Sequence, residues 1–267
     1  MTPRASIGVF GGSGFEEFLA GGVEVQVETP FGATSDVITI VEIGGHSVAF
    51  LPRHGRGHRL PPHQIPYRAN IWAMKHLGVE RIFAPCAAGS LDPSVVPGSM
   101  VLVDQFVDRT SGRVQTFYDG PGATHVAGAD PYCGSLRAEL LRVGLEQGLD
   151  IHAAGTMVII EGPRFSTRAE SQWYRDAGWQ VINMTGYPEV ILAREQALCY
   201  ATIALITDYD TGVGNDPAAA SVTADQVIVE FAANLHRLRD LLIATITSLP
   251  VRPSDDPCAR ALQGATL

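Results

Sequence analysis

Apolar positions along this chain switch repeatedly between a period of two and a period near 3.6, and that switching predicts an alternation of strands and helices. "IGVF" (7–10) is an unbroken apolar run that stops at a glycine cluster, Gly11-Gly12-Ser13-Gly14, and a helix is expected to begin at Phe15. "VEVQVETP" alternates, and "DVITIVEIGGHSVAFL" reads as two strands joined at Gly44-Gly45, a hairpin signal. "YRANIWAMKHLG" has helical spacing and ends at Gly78, the expected C-cap. "VERIFAP" and "SMVLVDQFV" are expected buried strands, "GSLRAELLRVGLEQG" an amphipathic helix, and "GTMVIIEGP" a further strand.

In the second half, Thr167 opens "TRAE", a capping-box pattern that starts a helix running through Tyr174. "WQVINM" predicts a strand, "EVILAREQAL" a helix and "YATIALIT" a strand. Thr223 is the expected N-cap of a long closing helix, "TADQVIVEFAANLHRLRDLLIATI". Strands alternating with helices imply an α/β fold: a single domain whose central mixed, largely parallel β-sheet is flanked by helices on both faces. No break in composition precedes Pro250, so residues 1–250 are expected to form the domain and 251–267 a short tail.

The chain's 267 residues are enough for a substantial core, and its formal charge of −9 argues against a nucleic-acid partner, which needs a basic surface. Cys86, Cys133, Cys199 and Cys258 are widely spaced, with no CxxC pair, so they read as free thiols of a reducing compartment. No run approaches the roughly 18 apolar residues of a membrane span, and "MTPRASIGVF" lacks a secretion leader. A cytoplasmic location and no membrane partner are the expectation.

Strand, glycine turn and helix start together form an anion cradle, although such turns are as often purely structural. The spacing Gly11-Gly12-x-Gly14 misses the G-x-G-x-x-G of dinucleotide binders, and no G-x-x-x-x-G-K-[ST] occurs anywhere. Positive partners for an anion stand in "LPRHGRGHRLPPHQ": Arg53, His54, Arg56, His58, Arg59 and His63. Arginine offers a planar fork to phosphate oxygens; the same composition also suits a solvated loop. Gly55 and Gly57 argue against a helix that would bring His54 and His58 together, so no metal is expected there. Asn183, Met184 and Thr185 follow one predicted strand, and Thr207, Asp208 and Asp210 follow another. Ligands of open α/β sheets sit outside such carboxyl ends, though Asp/Gly turns are common there too.

Taken in order, "GGSGF", "TPFG", "RHGR", "YRANIWA", "AAGSL", "DQFVDRT", "EGPRFSTRAES", "NMTGYPE" and "TDYD" resemble the purine nucleoside phosphorylase superfamily, most closely its 5′-methylthioadenosine phosphorylase branch. The resemblance runs from about residue 7 to 245. It implies a nucleoside phosphorylase-like fold, usually a homotrimer, that cleaves an N-glycosidic bond with phosphate and without metal or organic cofactor. Nucleoside and phosphate are then its small-molecule partners. By motif position, Ser13, Arg53, His54, Cys86, Ala87 and Thr185 would hold phosphate; Cys86 stands where relatives commonly carry threonine. Asp208 would protonate the departing purine and Asp210 would read its 6-amino group. Thr207 stands beside them, Phe165 would line base and sugar, and Met184 would pack under the ribose. His125 would reach a neighbouring subunit's 5′ pocket, whose apolar side Val227 and Ile228 would form, with the tail as a possible cover. The expected substrate is 5′-methylthioadenosine, with adenosine, a 6-oxopurine nucleoside or methylthioinosine as alternatives.

Overall fold

The computed structural model describes residues 4–11, 21–211, 222–253 and 255–266. The first apolar run forms β1 (Ile7–Gly11), every residue of it buried. Edge strand β2 (Val23–Val25) leads to the predicted hairpin, β3 (Ile38–Ile43) and β4 (His46–Pro52). Its turn residues Gly44 and Gly45 have φ of 57° and 80°, the pair of left-handed conformations that a two-residue hairpin turn demands. Helix α1 (Tyr67–His76) ends at Gly78, whose φ of 93° satisfies the C-terminal glycine expectation.

The long strand β5 (Arg81–Ser90) lies at the centre, buried along almost its whole length. "SMVLVDQFV", expected as one strand, divides into β6 (Met100–Leu102) and β7 (Gln105–Arg109). These pair with different neighbours, because at the break the Asp104 carboxylate takes the Gly155 N–H and turns the chain out of the first ladder. Helix α2 (Gly134–Glu146), strands β8 (Ile151–His152) and β9 (Thr156–Ile160), and helix α3 (Arg168–Asp176) follow. The capping box at Thr167 forms as its sequence predicts. Then come β10 (Val181–Asn183), α4 (Gly186–Glu195), β11 (Cys199–Tyr209) and α5 (Ala224–Ser248), the last with a second capping box at Thr223.

Among the described residues the strands run β2-β3-β4-β1-β5-β10-β9-β7, with β11 on the other edge of β5 and β6 and β8 beyond it. Parallel and antiparallel pairs are both present, so the mixed sheet with helices on both faces is as expected. One face buries Phe10, Ile71, Met74, Val190 and Leu192 in a core shared with α1 and α4. The opposite face buries Phe50, Phe83, Leu140, Leu238 and Leu241 against α2 and α5. Each such side chain stabilises the fold by about 1.5–3 kcal/mol through removal from water.

Candidate active site

The sheet is split beside β5. On one edge of this strand, β1 pairs only with Arg81–Phe83 and β10 only with Gly89 and Ser90. The backbone between them is left facing a cleft at the carboxyl end of β1, while β11 covers the other edge throughout. Two side chains reach the exposed carbonyls: Arg53 Nη1 donates to Pro85 O at 3.1 Å and Asn183 Nδ2 to Ala87 O at 2.9 Å. A strand residue's N–H and C=O point the same way, so the Ala87 N–H faces this cleft as well. Gly11 ends β1 on the cleft's rim, where its carbonyl accepts from Arg53 N. A Cβ there would meet the Phe50 ring at 2.0 Å, so glycine is the residue that fits. Ser13 and the remainder of the glycine turn lie outside the described residues.

Arg53 is 3% exposed and is gripped by Glu189, with Nε and Nη2 donating to its two carboxylate oxygens at 2.7 and 2.9 Å. The Tyr200 hydroxyl adds a third bond to that carboxylate. Burial works against the guanidinium charge, but the Glu189 partner outweighs it and Arg53 remains charged. Described residues use three of its five N–H groups, leaving two for an anion. Burial raises the Cys86 thiol to about 12 despite Arg53 nearby, so Cys86 is neutral.

The basic loop divides its charges. Arg56 turns to Glu24 and Asp36, and Arg59 to the Ser35 carbonyl. His54 and His58, expected to stay apart, instead stack with ring centroids 3.9 Å apart. Left-handed Gly55, Gly57 and His58, at φ 71°, 69° and 56°, curl the chain back on itself where a helix would not. Face-to-face rings do not converge their nitrogens on one ion, so the stacking makes no metal site. His54 Nδ1 lies 2.8 Å from the Leu60 carbonyl and therefore donates to it. Burial, with the charges of His58 and Arg53, lowers His54 to about 4. At neutral pH its Nε2 is accordingly a lone-pair acceptor.

At the end of β10, the Asn183 carbonyl oxygen receives the backbone N–H groups of Thr185 and Gly186 at 2.6 and 2.8 Å. One side chain thus fixes the start of α4 and ties it to β5 through Ala87. Met184 lies against Gly162, where a Cβ would approach its sulfur to 2.6 Å, so the loop carrying half-buried Phe165 packs on Met184. A residue the sequence reasoning missed holds these parts. The buried Arg113 donates to the carbonyls of Met184 (3.0 Å) and Glu161 (2.7 Å), to that of Tyr187, and to the Glu161 carboxylate.

Asp208 and Asp210 both come from the carboxyl end of β11, with a register irregularity between Ile206 and Asp208. Gly89 makes room for them: a Cβ there would stand 3.0 Å from Asp208 Oδ1 and 3.5 Å from the Asp210 Cβ. Burial raises the Asp208 carboxyl; the Thr207 hydroxyl, 2.7 Å from its Oδ2, opposes this and the charge of Asp210 reinforces it. Asp210 is raised by burial too, but the Ser171 hydroxyl donates to its carboxylate and anchors it to α3. The partner serine sits inside "STRAES", where its sequence reads only as part of a helix start.

The expected 5′ residues lie elsewhere in the chain. His125 is exposed, its N–H bonded to Ala265 O at 2.8 Å, and Thr124 bridges to Thr266, so the tail lies against this segment. Val227 is half-buried and Ile228 is 65% exposed on the first turns of α5.

Residues 6–246 match the model of the phosphorylase superfamily, and the chain belongs to that family. It is 54% identical to the S-methyl-5′-thioadenosine phosphorylase of Mycobacterium tuberculosis, over 90% of this chain and 88% of that one. It is 47% identical to a purine nucleoside phosphorylase of Streptomyces coelicolor, over 98% and 95% of the two chains. The solved methylthioadenosine phosphorylase from Schistosoma mansoni, in complex with adenine, superposes with a TM-score of 0.91 at 35% identity, covering 98% of this chain and 99% of its own.

Proposed function

We propose that this enzyme catalyses phosphorolysis of 5′-methylthioadenosine, yielding adenine and 5-methylthioribose 1-phosphate for purine and methionine salvage. The observation that carries the proposal is the pairing of two unlike groups around β5. A buried guanidinium with spare donors faces the split, and a carboxyl that burial holds toward its protonated form stands at the same strand's end.

Hydrogen phosphate binds in the cleft between Arg53, the Ala87 N–H and Thr185, and Ser13 is the further phosphate ligand expected from its motif. Its P–OH suits the lone pair of His54 Nε2. As the C1′–N9 bond breaks, its electron pair passes into the purine, and Asp208 gives its proton to N7. The oxocarbenium-like sugar is stabilised by the phosphate below it, whose oxygen then forms the new bond to C1′. The proton leaving phosphate balances the one taken from Asp208. Asp210, whose carboxylate form the Ser171 hydroxyl favours by donating to it, receives the 6-amino donor of adenine and disfavours a 6-oxo group. Met184 and Phe165 shape the sugar and base floor. Inorganic phosphate is the co-substrate, and no step needs a metal or organic cofactor.

The 5′ end is completed in a homotrimer, where His125 of one subunit and the tail beside it meet Val227 and Ile228 of another. The exposure of Ile228 in the single chain supports this. Such an apolar wall leaves a 5′-hydroxyl unpartnered at a cost of roughly 1–3 kcal/mol, favouring the thioether. Buried free cysteines suit a cytoplasmic location.

The test is release of free base from methylthioadenosine, adenosine, methylthioinosine and inosine, each with and without phosphate. Adenine release should far exceed hypoxanthine release and should require phosphate. Undiminished activity without phosphate refutes phosphorolysis, equal rates for the two bases refute the role of Asp210, and faster cleavage of adenosine refutes the 5′ assignment.

A further inference from the structure

Three of the four cysteines, spread over 125 residues of sequence, meet at one point away from the cleft. The sulfurs of Cys133, Cys199 and Cys258 all lie within 4.8 Å of one another, and all three residues are buried. They come from separate elements: Cys133 caps α2, Cys199 opens β11, and Cys258 sits in the short 3-10 helix Pro257–Arg260 of the tail. We propose that this cluster is a structural binding site for a soft divalent cation of the zinc class, held by three thiolates, and that the ion fastens the tail to the core.

Geometry supports the assignment. A tetrahedral ion with metal–sulfur distances of about 2.3 Å holds its sulfurs about 3.8 Å apart. The triangle therefore has to contract by about 1 Å at most. A disulfide would engage two of the sulfurs and leave the third without a role. Asp256, buried beside the triangle, accepts from the Cys199 thiol at 3.3 Å. The Cys258 N–H at 2.7 Å and the Arg252 guanidinium at 3.4 Å orient this carboxylate, and the arginine offsets its charge. Every ligand must lose a proton for the ion to enter, so uptake is coupled to proton release.

The site has a mechanical consequence. Beyond Cys258 the tail runs to Ala265 and Thr266, which bond the Thr124–His125 segment. An ion at the cysteines joins α2, β11 and that outer pairing into one unit. This holds whether or not His125 meets substrate, so it can fail without touching the proposed activity.

The test uses full-length protein, fully reduced and stripped of metal, titrated with Co(II) and then Zn(II). One Co(II) per chain should bind with the sulfur-to-metal charge-transfer bands and intense visible bands of a tetrahedral thiolate site, and Zn(II) should displace it. X-ray absorption of the zinc form should count three sulfurs. Backbone amide exchange at 124–125 and 264–266 should slow on loading. Cys258→Ser and Cys133→Ser should abolish the charge-transfer band, and Cys86→Ser, outside the cluster, should keep it. A weak octahedral spectrum without charge transfer in the wild-type protein overturns the proposal. So does a band that survives Cys258→Ser, a zinc shell dominated by nitrogen and oxygen, or a protein that forms a disulfide from these thiols and takes up no metal after reduction.

Discussion

The guanidinium of Arg53 and the carboxylate of Glu189 face each other through two hydrogen bonds, 136 residues apart in sequence and both sealed from solvent. Glu189 thereby decides where the arginine's remaining donors point. Removing one partner of a buried pair leaves an uncompensated charge, which costs about 3–5 kcal/mol. Glu189→Ala should lose stability on that scale in denaturant unfolding and raise the KM for phosphate more than that for nucleoside. A loss below about 1 kcal/mol would mean that the pair is not what holds Arg53.

Asp208, the proposed proton donor, sits where burial penalises its charged form. Its carboxyl is raised in the folded chain, so the penalty is absent below the ordinary carboxylate pKa and grows as pH rises through the folded value. Asp208→Asn keeps the shape and removes the charge. It should be more stable than wild type at pH 7, with the difference closing in acid. Its kcat should fall by about 10²–10⁴, the usual worth of a general acid, while methylthioadenosine still binds. Near-normal turnover, or lower stability at every pH, contradicts the assignment.

Much of this arrangement was legible in the sequence, and the exceptions have physical reasons. Strand-end positions such as Thr185 and Asp208 follow from apolar periodicity, because a run that stops marks where side chains leave the sheet. The capping box at Thr167 and the N-cap at Thr223 are local chemistry and formed as their sequences predict, the second completed to a box by Gln226. Arg113, Ser171 and the cysteine triangle were not legible, since each gains its meaning from partners many residues distant. The stacking of His54 on His58 was not legible for another reason: Gly55 and Gly57 argue against a helix that would bring the rings together, yet their positive-φ backbone folds one onto the other without one.

Arg113 reaches four backbone carbonyls and one carboxylate from a single planar fork. Lysine carries the charge but offers a point donor on a flexible stem and cannot span them. Arg113→Lys should therefore loosen Met184 and the Glu161–Phe165 loop together. A misplacement of about 1 Å can cost around 10²-fold in rate. We expect kcat/KM for nucleoside to fall by about that factor while circular dichroism is unchanged. A variant with unaltered kinetics would reduce Arg113 to a fold residue.

Asp210 is fixed by Ser171, so its acceptor oxygens are presented from a rigid mount. Asp210→Asn supplies a donor in the same place and should shift preference from adenine nucleosides toward hypoxanthine nucleosides. The shift is expected to be about tenfold or more, the weight of one hydrogen bond gained against one lost. Ratios of kcat/KM for methylthioadenosine and methylthioinosine measure it, and an unchanged ratio removes Asp210 from base recognition.

His54 makes the last expectation a matter of sign. Burial, reinforced by His58 and Arg53, holds its folded pKa near 4, below the unfolded value of about 6.5. Between those values the unfolded chain binds a proton that the folded chain refuses, so stability falls as pH drops from 6.5 toward 4 and levels off below. His58 is lowered by burial as well and adds a contribution of the same sign. His54→Asn keeps an N–H for the Leu60 carbonyl but cannot titrate. Its denaturant midpoint should decline less steeply over that interval than that of the wild type, while the KM for phosphate rises at pH 7 because the ring nitrogen proposed to accept the P–OH is gone. Parallel pH profiles for the two proteins would mean that the imidazole is not held neutral by its surroundings.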